Sequence, residues 1–366
     1  MLKVNIIGNL FLLFFLFNCA KCESSKLLSV ATLYRHGSRG PMKFYKNDPY
    51  QKVADEIWPN GLSELTIIGK NQQFELGKWY RERYKSFIPD KYDRNFIRVL
   101  SSDSDRCLMS AASNLAGMFP PKGNQIWNKD IPWQPIPIHT TPMNQDALIY
   151  LGKPCPKHDK IVQELKNQEE YKQFVQYLQP TINYIEKHIK EKCNTIEELI
   201  FIHDALFVES FYGLELPRWT ETFYPNYTMP LLALFFKLPA YTPQLARLNA
   251  GPLIDYITTF FEEVLEKPNN SQKFLMLSGH DNTIANLLTS LGLYDNTWPE
   301  YASSLNIEFK SRENQPFINM YFKNSTGIHK LTLNNCSFNC SFGRFKKLTE
   351  HLRINPDLWD KECTNV

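Results

Sequence analysis

The chain reads Leu27-Leu28-Ser29-Val30-Ala31-Thr32-Leu33-Tyr34 and runs on into Arg35-His36-Gly37-Ser38-Arg39-Gly40-Pro41. The first stretch is aliphatic and β-branched and is closed by Gly37, which predicts a buried strand. The second sets one imidazole between two guanidinium groups at that strand's end. Arginine stays charged at any working pH, and its planar fork matches phosphate oxygens. The arrangement points to a site for a phosphoryl group, with His36 as the reacting residue. An isolated Arg-His pair would read as a solvated basic turn. The full Arg-His-Gly-x-Arg-x-Pro pattern behind a strand does not.

Two later segments share this layout. Phe96-Ile97-Arg98-Val99-Leu100 reads as a strand that runs into Ser101-Ser102-Asp103-Ser104-Asp105, a cap for a helix over Arg106 to Met118 that Pro120-Pro121 ends. Lys273 to Ser278 reads as a third strand, followed by Gly279-His280-Asp281-Asn282-Thr283 and a helix from Ile284. In open α/β sheets, sites form beyond the carboxyl ends of strands. Arg35, His36, Arg39, Arg106, His280 and Asp281 are therefore expected to converge, although they span 246 positions.

That set has chemical sense. Three arginines and an imidazole can balance the charge on a phosphate monoester. A neutral His36 can attack phosphorus and form a phosphohistidine. Asp281 can protonate the departing oxygen and then deprotonate the water that hydrolyses the intermediate. The arginines supply the positive charge, so no metal or other cofactor is called for.

The His-Asp dipeptide alone is weak evidence, because three occur. His158-Asp159 sits among lysines and reads as a solvated face. His203-Asp204 lies within an apolar helical run and reads as a packed, satisfied pair. Only His280-Asp281 follows a strand and a Ser-Gly turn. Arg106, taken alone, could pair with Asp103 or Asp105.

The 366 residues carry 43% hydrophobic and 22% charged residues, an ordinary globular balance with length for a large core. Lys3, the apolar run Val4 to Phe17 and Ala20-Lys21-Cys22 predict a signal peptide over residues 1–22. Its removal takes Lys3 and Lys21 and no acid, so the formal charge falls from +3 to +1 and nothing favours a nucleic-acid partner. No second long apolar run follows, and a soluble, secreted protein without a membrane anchor is expected. Cys107, Cys155, Cys193, Cys336, Cys340 and Cys363 remain and suit disulfides better than zinc, since no second ligand pair has the right spacing. Asn-x-Ser/Thr triplets begin at Asn226, Asn269, Asn324, Asn335 and Asn339, in keeping with glycosylation.

Strand and helix signals alternate through 23–143 and return over 231–366, while 144–230 shows charged helical patterns such as Lys160 to Tyr177 and Ile182 to Lys192. The expected fold is α/β: a doubly wound, mainly parallel central sheet with helices on both faces, plus a smaller helical domain inserted at 144–230.

These residues resemble the histidine acid phosphatases, the branch of the histidine phosphatase superfamily with prostatic, lysosomal and insect venom members. The likeness rests on Tyr34 to Pro41, Trp58-Pro59-Asn60-Gly61, Asp103-Ser104-Asp105-Arg106, Trp133-Gln134-Pro135-Ile136-Pro137 and Gly279-His280-Asp281, and covers nearly the whole mature chain. It implies His36 as the phosphorylated nucleophile, Asp281 as proton donor, and Arg35, Arg39, Arg106 and His280 as the phosphate-binding set. It also implies disulfides Cys155–Cys363 and Cys336–Cys340, leaving Cys107 and Cys193 either free or paired with each other. Leu100 stands where relatives often carry arginine. The family's lysosomal members have a C-terminal membrane segment, which the polar run Lys361 to Val366 does not provide. Its prototype enzymes are homodimers.

The resulting expectation is a secreted, metal-independent acid phosphatase acting on small phosphomonoesters or phosphorylated proteins. A binding protein on a phosphatase scaffold is the alternative, since fold does not fix function, but a pure binder has no use for both His36 and Asp281. A mutase or phytase-like activity is less favoured: the signal peptide argues against the first, and no extra basic cluster near the motifs supports the second.

Overall fold

A computed structural model describes residues 25–193 and 195–365. The expected signal peptide over residues 1–22 lies outside the described residues. The strands are β1 (Lys26–Arg35), β2 (Ile97–Ser102), β3 (His139–Thr141), β4 (Phe274–Gly279), β5 (Ser304–Arg312), β6 (Gln315–Asn324), β7 (Gly327–Leu331) and β8 (Cys340–Ser341). They form one sheet in the order β3-β2-β4-β1-β5-β6-β7, with β8 on β6. The run β3-β2-β4-β1 is parallel, and β5, β6 and β7 extend it antiparallel beyond β1.

The two central strands are buried on both faces, which is why they read as near-continuous apolar runs. Successive side chains on a strand point to opposite faces. Val30 and Tyr34 of β1 and Phe274 and Met276 of β4 enter one cluster with Leu76, Tyr80, Ala111 and Leu115. These last four lie on α2 (Ile67–Arg83) and α3 (Asp105–Met118), α1 being the short turn Ala54–Ile57. Ala31, Leu33, Leu275 and Leu277 point the other way, into a larger cluster with Ile254, Phe261, Ile284 and Phe345. Burying a side chain of this size is worth about 1.5–3 kcal/mol, so both faces hold the sheet.

Between β3 and β4 the described residues carry helices and no strand: α4 (Pro156–Lys166), α5 (Glu169–Ile189), α6 (Ile196–Phe211), α7 (Thr228–Lys237), α8 (Pro243–Asn249) and α9 (Gly251–Glu266). α5 and α6 share a cluster of their own around Leu178, Ile185, Leu199 and Leu206. The helical pattern over Lys160 to Tyr177 is broken at Asn167-Gln168, where Gln168 turns extended to open α5, and α5 then runs through Pro180. α7 crosses the expected boundary at 230/231. The α/β core is completed by α10 (Asp281–Ser290), α11 (Phe342–Thr349) and α12 (Pro356–Thr364).

Cys155 at the start of α4 is bonded to Cys363 at the end of α12, and Cys336 to Cys340. Cys107 and Cys193 are free, the first fully buried. Among the described residues no helix is long and apolar enough to cross a membrane.

Candidate active site

The sheet order brings the three strand ends together. β4 lies between β1 and β2, with Tyr34 opposite Ser278 and Ser278 opposite Ser101. The register continues past the strand, where the His36 amide donates to the Gly279 carbonyl at 3.0 Å. Arg35-His36 and His280-Asp281 are thereby side by side, and Arg106 arrives on the first turn of α3.

The turn after β1 is pressed against α2. A Cβ on Gly37 would lie 2.2 Å from the Gly69 carbonyl oxygen, so only glycine fits between the two backbones. Side chains of α2 and α3 then fix the turn. Gln73 donates to the Arg35 carbonyl at 2.8 Å, Gln72 accepts from the Ser38 amide at 2.7 Å, and Ser110 accepts from the Gly37 amide at 3.1 Å.

His36 is buried, and its Nδ1 lies 2.8 Å from the Gly37 carbonyl oxygen. A carbonyl only accepts, so Nδ1 carries the ring proton and Nε2 carries a lone pair. Burial, and then the positive charges of Arg106 and Arg35, push the imidazole well below its usual pKa. Burial and the arginines thus favour the neutral ring.

Arg35 is fully buried, and its Cζ sits 4.1 Å from the Tyr301 ring centre and 4.7 Å from that of Trp298. One Nη donates to the Pro299 carbonyl at 2.7 Å, and the other lies 2.8 Å from Asp281 Oδ2. The Trp298 indole N–H donates to the same carboxylate oxygen at 2.9 Å. Burial acts to raise the Asp281 pKa, but Arg35, the Trp298 hydrogen bond and Arg39 outweigh it and hold the group below the ordinary aspartate value.

Arg39 makes a two-pronged ion pair with Asp204 of α6, at 2.7 and 3.0 Å, and the Met42 amide adds a third hydrogen bond to Asp204 at 2.8 Å. Arg106 is half-buried, and no carboxylate pairs with it among the described residues. Its guanidinium approaches His280 Nδ1 at 3.4 Å, while His280 Nε2 is 2.9 Å from Ser102 Oγ. An arginine can only donate, so His280 accepts on Nδ1 and donates from Nε2 to Ser102. Burial and then Arg106 press the His280 pKa down to about 3.

All six expected residues thus meet. His36, Arg39, Arg106, His280 and Asp281 line a cavity of about 400 Å³, and Arg35 lies directly behind Asp281. His280 lines the cavity, and its ring nitrogens lie against Arg106 and Ser102. His203-Asp204 is packed, as expected, yet it belongs to the site, because its partner is Arg39 and both residues line the cavity. His158 is half-buried rather than solvated, its Nε2 2.8 Å from the Pro239 carbonyl. Leu100 packs half-buried on the larger apolar cluster. Sequence reasoning missed Gln73, Asp204, Trp298 and Tyr301. The buried charge of Arg39, which requires a counter-charge, is the one signal that asks for a residue such as Asp204.

The profile of the histidine phosphatase superfamily (branch 2) matches residues 26–323. The chain belongs to that family. Among histidine phosphatases of this branch it is 35% identical to the prostatic acid phosphatase of Bos taurus, over 93% of this chain and 88% of that protein. It is 32% identical to the lysosomal acid phosphatase of Xenopus laevis, over 93% and 79%. Of solved structures, the phytase of Citrobacter braakii superposes with a TM-score of 0.66 at 20% identity, over 93% of this chain and all of that one. The likeness to the phytase is one of fold.

Proposed function

We propose that this chain is a secreted acid phosphatase that hydrolyses phosphomonoesters through a phosphohistidine on His36. One observation carries the reading: His36 Nε2 is a bare lone pair in a cavity ringed by arginines, with an aspartate beside it. Arg39 and Arg106 take the phosphoryl oxygens, and Nε2 attacks phosphorus in line as the P–O bond to the leaving group breaks. Asp281 gives its proton to that oxygen. In the second step Asp281 accepts a proton from water, the water oxygen bonds to phosphorus, and the P–N bond breaks.

The acid requirement follows from the Arg35–Asp281 contact. At rest Arg35 favours the carboxylate. A bound phosphate brings negative charge into the cavity beside Asp281, which opposes the carboxylate and raises that group's proton affinity. Low pH supplies the proton, and His36 stays neutral there because its own pKa is pushed down.

Secretion is supported by the sequence of residues 1–22, by the two disulfides, and by the exposed Asn226 and Asn269. A homodimer has a face to form on, since Ile126, Trp127, Ile131 and Trp133 are exposed close together. Phosphorylated proteins as well as small esters are candidate substrates. The test is phosphate release from p-nitrophenyl phosphate at acid pH with EDTA present, for wild type and His36→Ala. Turnover that survives EDTA and vanishes in the variant is the expected result. A folded wild type that releases no phosphate overturns the reading and favours the binding-protein alternative.

A further inference from the structure

His203 lines the cavity and has no part in the chemistry above. Its Nδ1 lies 2.7 Å from Thr228 Oγ1, and that hydroxyl donates to the Pro225 carbonyl at 3.0 Å. The single proton of Thr228 is thereby used, so its oxygen must accept from Nδ1–H. With the ring proton on Nδ1, Nε2 holds a lone pair. That nitrogen is buried and has no hydrogen-bond partner among the described residues.

A buried acceptor without a donor costs free energy unless something supplies the hydrogen bond. Water can, and so can a substrate. The ring cannot swing away, because Tyr224 and Trp298 lie 5.4 Å from it and Phe207 stacks on it at 6.4 Å. Trp298 is also the residue that holds Asp281. Trp298 therefore contacts both the His203 ring and Asp281, and all three residues line the same cavity. Met42, Ile200, Phe201, Leu232 and Phe236 give the cavity an apolar stretch, with Glu197 and Asn282 among its polar lining residues.

We infer that His203 is a specificity residue that accepts a hydrogen bond from the leaving group. The preferred phosphomonoesters then carry an N–H or O–H donor on the alcohol portion, next to an apolar stretch of the wall. This inference rests on the phosphatase reading and names the substrate class for the same site.

The pH dependence separates this role from a structural one. Burial, with Asp204 opposing, pushes the His203 pKa down to about 4. The groups that face the ring are Asp204 on its own helix, which Arg39 neutralises, the Tyr224 hydroxyl, the Thr228 hydroxyl and the Trp298 indole. Above that pKa Nε2 accepts. Below it both nitrogens carry protons, Nε2–H can only donate, and the preference for a group that can only donate disappears.

2-Aminoethyl phosphate and propyl phosphate differ by an ammonium group, which can only donate, in place of a methyl group. The experiment measures kcat/KM for both at pH 5.5 and 3.5, in wild type, His203→Phe and Thr228→Val. At pH 5.5 the wild type is expected to favour the aminoethyl ester by about tenfold, roughly what one net hydrogen bond yields. The ratio falls toward one at pH 3.5, and at both pH values in His203→Phe. Thr228→Val frees the tautomer and lowers the ratio part-way. A wild-type ratio unchanged between the two pH values overturns the inference without recourse to any variant. Turnover of both esters at equal rates overturns this inference alone, whereas turnover of neither overturns the phosphatase reading as well.

Discussion

Arg35 Nη2 lies 2.8 Å from Asp281 Oδ2, so the most deeply buried arginine of the site is ion-paired with its aspartate. On the proposed mechanism, that guanidinium sets how readily the carboxyl takes up the proton it delivers.

Replacing Asp281 by Asn keeps the shape but removes the proton. A general acid is worth about 10²–10⁴-fold, and the loss should depend on the leaving group. Asp281→Asn is expected to cut kcat strongly on an alkyl phosphate and much less on p-nitrophenyl phosphate, whose phenolate leaves without help. Equal losses on both would remove Asp281 from the role of acid.

Trp298 stabilises the charged form of Asp281 by its indole hydrogen bond. Trp298→Phe removes that bond, so the Asp281 pKa should rise. Because the protonated group is the active acid, the alkaline limb of the pH–rate profile should move to higher pH. A shift in the opposite direction would contradict the assignment.

Asp204 is the buried counter-charge of Arg39, with side-chain exposures of 5% and 4%. Breaking such a pair from one side costs about 3–5 kcal/mol, because the remaining charge stays buried. Asp204→Ala is expected to lower the melting temperature and to raise KM more than it lowers kcat, since Arg39 loses its fixed orientation. A KM unchanged within error would mean that Arg39 does not contact substrate.

Glu209 of α6 and Asp48 of the loop that follows β1 meet as two buried carboxyl groups. Burial, and then Asp48, push the Glu209 pKa up to about 9. The folded pKa exceeds the unfolded one, so this group's contribution to stability is fully present below about pH 4.5 and is lost as pH rises towards 9. Thermal melts of wild type should fall in midpoint across that window, and Glu209→Gln, which cannot ionise, should show a flatter dependence. Identical slopes would count against a shared proton.

The Cys155–Cys363 bridge closes a loop of 208 residues, joining α4 to α12. Disulfides typically contribute about 2–4 kcal/mol, more for longer loops. The double variant Cys155→Ser, Cys363→Ser should lose stability in urea by about that amount yet retain its KM at low temperature, because neither residue touches the cavity of His36.

The strands and the motif residues were legible for the same reason. β1 and β4 are covered on both faces, so their apolar runs stand out, and each hands its polar residues to the site in an unbroken stretch. Asp204, Trp298 and Tyr301 come from a helix and from a loop ahead of β5, and no periodicity records which helix lies against which turn. His203-Asp204 illustrates the difficulty: its burial was readable from the flanking Leu199 to Ile202, while its partner Arg39 lies 165 positions earlier. The orientation of His280 was hidden likewise, since it depends on Ser102 across 178 positions.

β1 is the first strand made and sits between β4 and β5 in the sheet. A nascent chain that has emerged as far as α9 contains His36 and all three arginines, but β1 has neither neighbour and no ladder to join. Pairings this distant in sequence form late. Competence for catalysis therefore arises only once β4 and β5 have left the ribosome, and an unfinished polypeptide carries the nucleophile without an enzyme around it.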